Sequence, residues 1–240
     1  MAGKQTIKNI EGYVLRVSSY KENDAMVTVL SAEGLFSFLA RGVLKNTSKN
    51  FSSCQLLAKS KFSLNEQKNG NYSLSESDVI SVPDGKSSLL RLGIFSFISE
   101  ACLKLVIEEE SSKIYPWIDK TMDDLKNEGK EASSALIFLS HLLNEIGYGL
   151  EVNECVRCGG KTGIVGVSFK DGGFVCKDCA EESDKMDMRD LKILRFCFKC
   201  QLEDVERAAF TTEESIKLIK RLIRYIDNFT GVKLKSLELL

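Results

Sequence analysis

Residues 25–42 read AMVTVLSAEGLFSFLARG, and their alternation decides how the first third of the chain folds. Apolar and polar positions change every residue in two short runs, a period that belongs to a strand, and Glu33-Gly34 between them marks a hairpin. The same pattern extends outward on both sides, through IEGYVLRVSSY (10–20), QLLAKSKFSLNEQ (55–67) and GNYSLSESDVISV (70–82), with Asn69-Gly70 as a further turn signal. Four or five strands, with no helix longer than a turn or two, predict a small closed barrel. An OB-type barrel fits that length, and an SH3-like barrel would give nearly the same pattern.

At Pro83-Asp84-Gly85 the period changes. The stretch SLLRLGIFSFISEACLKLVIEEE (88–110) sets Leu89, Leu92, Phe95, Ile98, Leu103 and Val106 near helical spacing, and YPWIDKTMDDLKN (115–127) and EASSALIFLSHLLNEIG (131–147) continue as helices. Helices resume over 188–206 and 211–229, where Thr211 and Glu214 form a capping-box start. The sequence therefore predicts an α+β chain of two domains: an OB-fold barrel over 1–82 and an α-helical domain over 83–240, the latter carrying a cysteine module at about 153–182.

Charge is balanced, with 33 Lys and Arg against 34 Asp and Glu, which by itself argues against a strongly basic nucleic-acid binder. Distribution matters more, since both ends are mildly basic and the middle is acidic. The opening residues, interrupted by Lys4, Lys8 and Glu11, do not read as a signal peptide, and Glu100 and Lys104 interrupt the longest apolar run short of the roughly 20 residues a spanning helix needs. The expectation is a cytoplasmic protein without a membrane anchor. In that reducing compartment eight cysteines point to metal or thiol chemistry and not to a disulfide framework.

Four of them stand in CVRCGGKTGIVGVSFKDGGFVCKDC, residues 155–179. Two Cys-x-x-Cys pairs at this separation have the spacing of a four-thiolate zinc site, and IVGVSF and GFVC, joined by KDGG, can form a hairpin that returns Cys176 and Cys179 to Cys155 and Cys158. Four cysteines fill every position of a tetrahedral ion, so one structural zinc per chain is expected and no catalytic one. Thiol redox catalysis is the weaker alternative, because no thioredoxin-like βαβ pattern surrounds either pair. A third pair, Cys197 and Cys200 in ILRFCFKCQL, lies in an apolar helical setting without a knuckle glycine and reads as core packing. Cys54 and Cys102 read as inert, and His141, the single histidine, as a helix residue without catalytic duty.

Read in order, these features resemble the bacterial recombination mediator RecO family. The resemblance rests on EGYVLRVSSYKENDAMVTVLSAEGLFSFLARGVLKNTSKN, with Gly12, Tyr20, Glu22, Asp24 and Ala40-Arg41-Gly42, on FLSHLLNEIGYGLEVNECVRCGGK, with Leu143, Gly147 and Tyr148, and on Lys235-Ser236-Leu237-Glu238 near the end. After Arg41 the chain carries only Lys45 and Lys49 and is less basic than that family's pattern. The resemblance implies an OB barrel followed by a helical domain with a zinc module. It further implies a protein, not an enzyme, that binds single- and double-stranded DNA, anneals complementary strands, and acts with RecR to load RecA onto DNA coated by single-stranded DNA-binding protein.

Single strands are held by combining phosphate-contacting cations with aromatic faces for the bases. Arg16, Arg41, Lys45 and Lys49 are the candidate phosphate contacts, and Tyr20, Phe36 and Phe38 the candidate stacking surfaces, unless Phe36 and Phe38 fill the barrel core. In the last helix Lys217, Lys220, Arg221 and Arg224 flank Ile216, Ile219, Ile223 and Ile226, which could receive the acidic, aromatic-ended tail of single-stranded DNA-binding protein or form an ordinary solvated face. No phosphate-cradling glycine loop and no acid–base constellation is present. The competing function is a zinc-containing interaction scaffold or transcription-associated module that binds protein and does not anneal DNA.

Overall fold

The computed structural model describes residues 7–67, 70–83, 88–125 and 129–236. Asn69 of the expected second turn, the Asp84-Gly85 break and Leu237-Glu238 of the closing signature lie outside the described residues. The α+β chain divides into two compact units, Met1–Ser87 with Cys102–Tyr115, and Ser88–Ala101 with Pro116–Leu240.

In the first unit five strands, β1 (Ile7–Ser19), β2 (Ala25–Ser31), β3 (Gly34–Ala40), β4 (Lys59–Glu66) and β5 (Tyr72–Ser81), close a barrel in the order β1-β2-β3-β5-β4. The length of β1 makes closure possible: Ile7–Tyr13 pairs with β4 and Gly12–Ser19 with β2, both antiparallel, across a register shift between Val14 and Arg16. A bulge of this kind bends the strand so that it serves two neighbours. The last seam is parallel, Phe38 beside Tyr72 and Leu39 beside Ser73. This is an OB-like order, and it decides between the two barrels that alternation left open.

Gly12 sits where β1 passes between its partners. A Cβ there would stand 2.2 Å from the Leu30 carbonyl oxygen, so the strands approach too closely for any side chain. Val14, Val27, Val29, Phe38, Phe62 and Leu64 fill the interior, with the Phe38 and Phe62 ring centroids 5.2 Å apart. Fully burying one such side chain is worth roughly 1.5–3 kcal/mol, so a one-residue slip that turned a strand inside out would forfeit several of these contributions at once.

The second unit holds most of α1 (Leu89–Leu105), the larger part of α2 (Ser111–Asp124), and all of α3 (Glu131–Glu145), α4 (Met188–Lys199) and α5 (Thr212–Thr230). A two-stranded ribbon, β6 (Ile164–Ser168) and β7 (Gly173–Cys176), is inserted between α3 and α4. Helix α3 is buried on every side from Ala132 to Leu143 and is packed by α4 and α5. At its start the Arg91 guanidinium donates to Glu131 across 2.8 Å, both groups almost fully out of solvent. The expected capping box opens α5, the Glu214 N–H donating to Thr211 Oγ1 and the Thr211 N–H to the Glu214 carboxylate.

The stripe expected on α1 fails in its first turn. Leu89 and Leu92 are exposed, while Ile94, Phe95, Phe97, Ile98, Ala101 and Cys102 are buried. A helix apolar on almost every side offers no periodicity from which to choose the inward face.

Candidate functional site

The ribbon between α3 and α4 gathers the two cysteine pairs. Cys155 and Cys158 form a tight turn in which the Gly159 N–H donates to the Cys155 carbonyl at 2.7 Å and the Cys155 N–H to the Gly160 carbonyl at 2.8 Å. Gly159 has φ of +72°, a left-handed conformation that side chains disfavour, and it lets the chain reverse directly after the second sulfur. The β6–β7 hairpin then delivers Cys176, and the Cys179 and Ala180 N–H groups close a second turn on the Cys176 carbonyl.

The four sulfurs lie within 4.8 Å of one another, and Cys158 Sγ is 3.8 Å from Cys176 Sγ. Zinc–thiolate bonds of about 2.3 Å require a tetrahedral sulfur–sulfur edge of about 3.8 Å, so this donor set suits that ion. Burial opposes ionisation of Cys155, but backbone hydrogen bonds at Cys176, Arg157 and Cys158 outweigh it and draw the thiol down to about 6. Hydrogen bonding with Cys158 and Cys176 pushes the Cys179 thiol up to about 12, since crowded sulfurs disfavour a further thiolate beside them. Four cysteines are thus positioned to hold a metal ion, with no position left over for a substrate.

Sequence reasoning missed Arg157, between the first two cysteines. Its guanidinium pairs with Asp171 at 2.7 Å, Asp184 at 3.1 Å and Glu181 at 3.4 Å, and donates to the Cys179 carbonyl. One side chain therefore ties the first cysteine turn to the hairpin loop and to the segment after the second turn. The available signal was a lone arginine inside a knuckle, with Asp171, Glu181 and Asp184 downstream.

The third Cys-x-x-Cys pair is core, as its setting suggested. Cys197 and Cys200 lie at the end of α4, buried, and desolvation pushes the Cys200 thiol up to about 12 and raises Cys197 as well. His141 faces this pair, its Nε2 3.5 Å from Cys200 Sγ and its ring stacked on Trp117 with centroids 3.4 Å apart. Burial lowers the imidazole to about 4, so it is neutral at physiological pH. Desolvation raises the Cys54 thiol to about 11 and raises the buried Cys102 as well.

On the barrel unit, Arg16, Arg41, Lys45 and Lys49 are all exposed, and no ion pair among the described residues engages them. Arg41, Lys45 and Lys49 stand on the connection from β3 to β4, a succession of turns in which Lys45 donates to Gly42, Ser48 to Lys45 and Phe51 to Ser48 through their backbone N–H groups. Asp24 anchors its start: its carboxylate accepts from the Gly42 N–H at 2.8 Å, while its carbonyl accepts from the Tyr20 N–H. Tyr20 is exposed. Phe38 is not a stacking surface, because it lies wholly inside the barrel against Phe62, and Phe36 is half-buried beneath Lys8 Nζ, 4.4 Å from its ring centre. Alternation put both rings on one face, and closure made that face the interior.

Comparison with known proteins agrees with this architecture. The family model described as Recombination protein O N terminal matches residues 5–83, and Recombination protein O C terminal matches residues 86–238. The chain belongs to this family. Its relatives include the DNA repair protein RecO of Halalkalibacterium halodurans, 27% identical over 94% of this chain and 91% of the relative, and that of Clostridium perfringens, 28% identical over 95% of each. A further DNA repair protein RecO, from Clostridium novyi, is 27% identical over 99% of this chain and 94% of its own length. Membership assigns the chain a role in DNA repair and recombination. Gly12, Asp24 and Gly42, three of the residues on which the resemblance rested, have structural parts: one permits the close approach of β1 to β2 and the other two tie the basic connection to the barrel.

Helix α5 of this family member differs from the surface its sequence suggested. Ile219 and Ile226 are fully buried with Leu218, Leu222 and Tyr225, and only Ile216 and Ile223 are partly open. Lys217 forms a 2.6 Å ion pair with buried Asp190 of α4. Lys220 and Arg224 are exposed and Arg221 is half-buried. The apolar stripe packs the second unit's own core, as the stripe of an amphipathic helix ordinarily does. Among the described residues, no helix is long and apolar enough to cross a membrane.

Proposed function

We propose that this chain is a cytoplasmic recombination mediator that binds single- and double-stranded DNA on its barrel and anneals complementary strands. With RecR it helps load RecA onto DNA coated by single-stranded DNA-binding protein. The observation that carries this reading is the barrel itself: an OB-like scaffold with Arg16, Arg41, Lys45 and Lys49 all exposed and in no ion pair among the described residues, three of them on one connection anchored by Asp24. Neutralising phosphates there would release counterions and lower the repulsion between two strands brought together, which needs no bond to break. The RecO relatives, named as DNA repair proteins, support the same reading. The chain acts by placement and not by catalysis.

One structural zinc, held by Cys155, Cys158, Cys176 and Cys179, would cross-link the ribbon and thereby brace the segment joining α3 to α4. On α5, Lys220, Arg221 and Arg224 are the cations left to meet the acidic tail of single-stranded DNA-binding protein, since Lys217 is committed to Asp190.

Salt titration of single-strand binding, with annealing measured alongside, tests the reading. Each lost phosphate contact shallows the logarithmic salt slope by about 0.7, so replacing Arg41, Lys45 and Lys49 together by Ala should change it by about 2. An unchanged slope and affinity in the folded variant would move the DNA surface elsewhere, and a wild-type protein that neither binds nor anneals DNA would favour the interaction scaffold.

A further inference from the structure

An apolar pocket of about 300 Å³ opens on the barrel unit, lined by Val17, Val43, Leu44, Phe51, Cys54, Gln55 and Leu56. It is at the small end of the range for ligand sites, about 300–1,000 Å³. Two of its apolar walls, Phe51 and Leu56, are 37% and 43% exposed. The floor is firm, because Val43 and Cys54 are buried in the barrel's own core cluster.

The turn that carries Gln55 and Leu56 is held in an uncommon conformation. Leu57, the next residue, has φ of +58°, a left-handed geometry that costs on the order of 1–3 kcal/mol for a residue other than glycine. Its N–H donates to the Val14 carbonyl at 2.6 Å, and the Ala58 carbonyl accepts from the Val14 N–H at 3.0 Å, so both sides of the strained residue are stitched to β1. The result presents Gln55 and Leu56 outward while Leu57 itself is buried.

Position along the chain relates this pocket to the exposed cations. Arg16 precedes Val17, Lys45 follows Leu44, Arg41 is two residues before Val43, and Lys49 is two residues before Phe51. Each of the four is thus within two positions of a lining residue, yet none lines the pocket. A carboxylate entering it would meet no positive charge inside. A flat, uncharged group attached to a polyanion fits both facts, its ring against Phe51, its polar edge at the Gln55 amide, which both donates and accepts, and its backbone charge left outside with the cations.

We propose that this pocket captures a nucleobase of a single strand whose phosphates are held by Arg16, Arg41, Lys45 and Lys49. The inference rests on the DNA-binding reading above and adds to it a contact that depends on the base and not on charge. It makes the connection from β3 to β4 a two-part reader, with cations for the backbone and an apolar slot that only an unstacked base can enter. Paired DNA, whose bases are stacked, would use the cations alone.

The test compares the full-length protein binding two oligonucleotides of equal length and charge, one bearing thymine at every position and one abasic throughout. Base stacking on a protein aromatic ring predicts about tenfold tighter binding of the thymine strand by the wild type. Phe51→Leu, which keeps the apolar wall and loses the flat ring, and Gln55→Ala, at an exposed position, should each bring the ratio toward unity while leaving the abasic affinity and its salt slope unchanged. Lys45→Ala with Lys49→Ala should weaken both strands equally. If the wild type binds the two strands alike with a steep salt slope, the pocket inference is wrong and the cation reading stands. If both variants keep the full preference, the base contact lies elsewhere and the inference is again overturned. Binding of neither strand would remove the DNA-binding reading and this inference together.

Discussion

Two regions of this chain carry the same four-residue spelling, Cys-x-x-Cys, and do opposite things with it. In the ribbon, Cys155–Cys158 and Cys176–Cys179 sit on turns whose sulfurs converge within 4.8 Å. At the end of α4, Cys197 and Cys200 are buried, their thiols raised by desolvation, and their neighbour is a neutral histidine stacked on Trp117. Spacing alone does not make a metal site. What differs is the backbone between and after the sulfurs: a turn with Gly159 in the left-handed region leaves room for a shared ion, whereas a helix directs both side chains into packed protein. The lesson is one of accessibility, since a thiolate must give up its proton to a cation and the α4 pair sits where a charge is least welcome.

The comparison can be broken most forcefully at the ribbon. Structural zinc contributes binding free energy on the order of 10 kcal/mol in small folded sites, and that energy is folding energy. Cys176→Ser should therefore abolish stoichiometric zinc, seen by elemental analysis, and unfold the ribbon, seen by proteolysis within residues 153–182. Cys197→Ser should retain one zinc per chain and lose only about 1–3 kcal/mol in denaturant unfolding, the cost of placing a hydroxyl in an apolar site. Zinc lost from Cys197→Ser and kept by Cys176→Ser would invert the assignment.

Acid titration sharpens the α4 side. The His141 imidazole is lowered to about 4 by burial, against an ordinary value near 6.5. Between these values the unfolded chain binds a proton that the folded chain refuses, so stability is fully present above about 6.5 and falls as the pH drops toward 4. The groups that face it, Cys200 at Nε2 and the Trp117 ring, carry no charge that could offset the loss. A shift of this size corresponds to about 3 kcal/mol. His141→Gln should flatten the difference between unfolding free energies at pH 7 and pH 4.5 relative to wild type, while titration of the carboxylates cancels between the two proteins. Equal pH dependence in both would show that the imidazole is not held neutral.

The smallest effect is expected at Arg157. Arg157→Ala removes the tie among Asp171, Glu181, Asp184 and the Cys179 carbonyl but leaves all four sulfurs. Zinc stoichiometry should be unchanged, and release to a chelator should be faster by several-fold, below the roughly 10–100-fold in affinity that groups bonded directly to metal ligands control. Release at the wild-type rate would reduce Arg157 to a surface charge.

How much was legible beforehand follows the range of each interaction. Strand alternation over 25–42, the cysteine pairs, the Thr211–Glu214 capping box and the helical setting of Cys197 and Cys200 are encoded by residues within a few positions of one another, and the sequence by itself determined them. The barrel's identity required β1 to reach both β2 and β4 across a bulge and β3 to meet β5 in parallel, pairings between distant residues that no window contains. Tertiary structure alone turned Phe38 inward, buried Ile219 and Ile226 of α5, engaged Lys217 with Asp190, and left Leu89 and Leu92 outside. It also set Val17 of β1 beside residues 43–56 to make a pocket. Periodicity names the faces of an element, but what lies against each face is a property of the packed chain, because burial is decided by neighbours that arrive from elsewhere in the sequence.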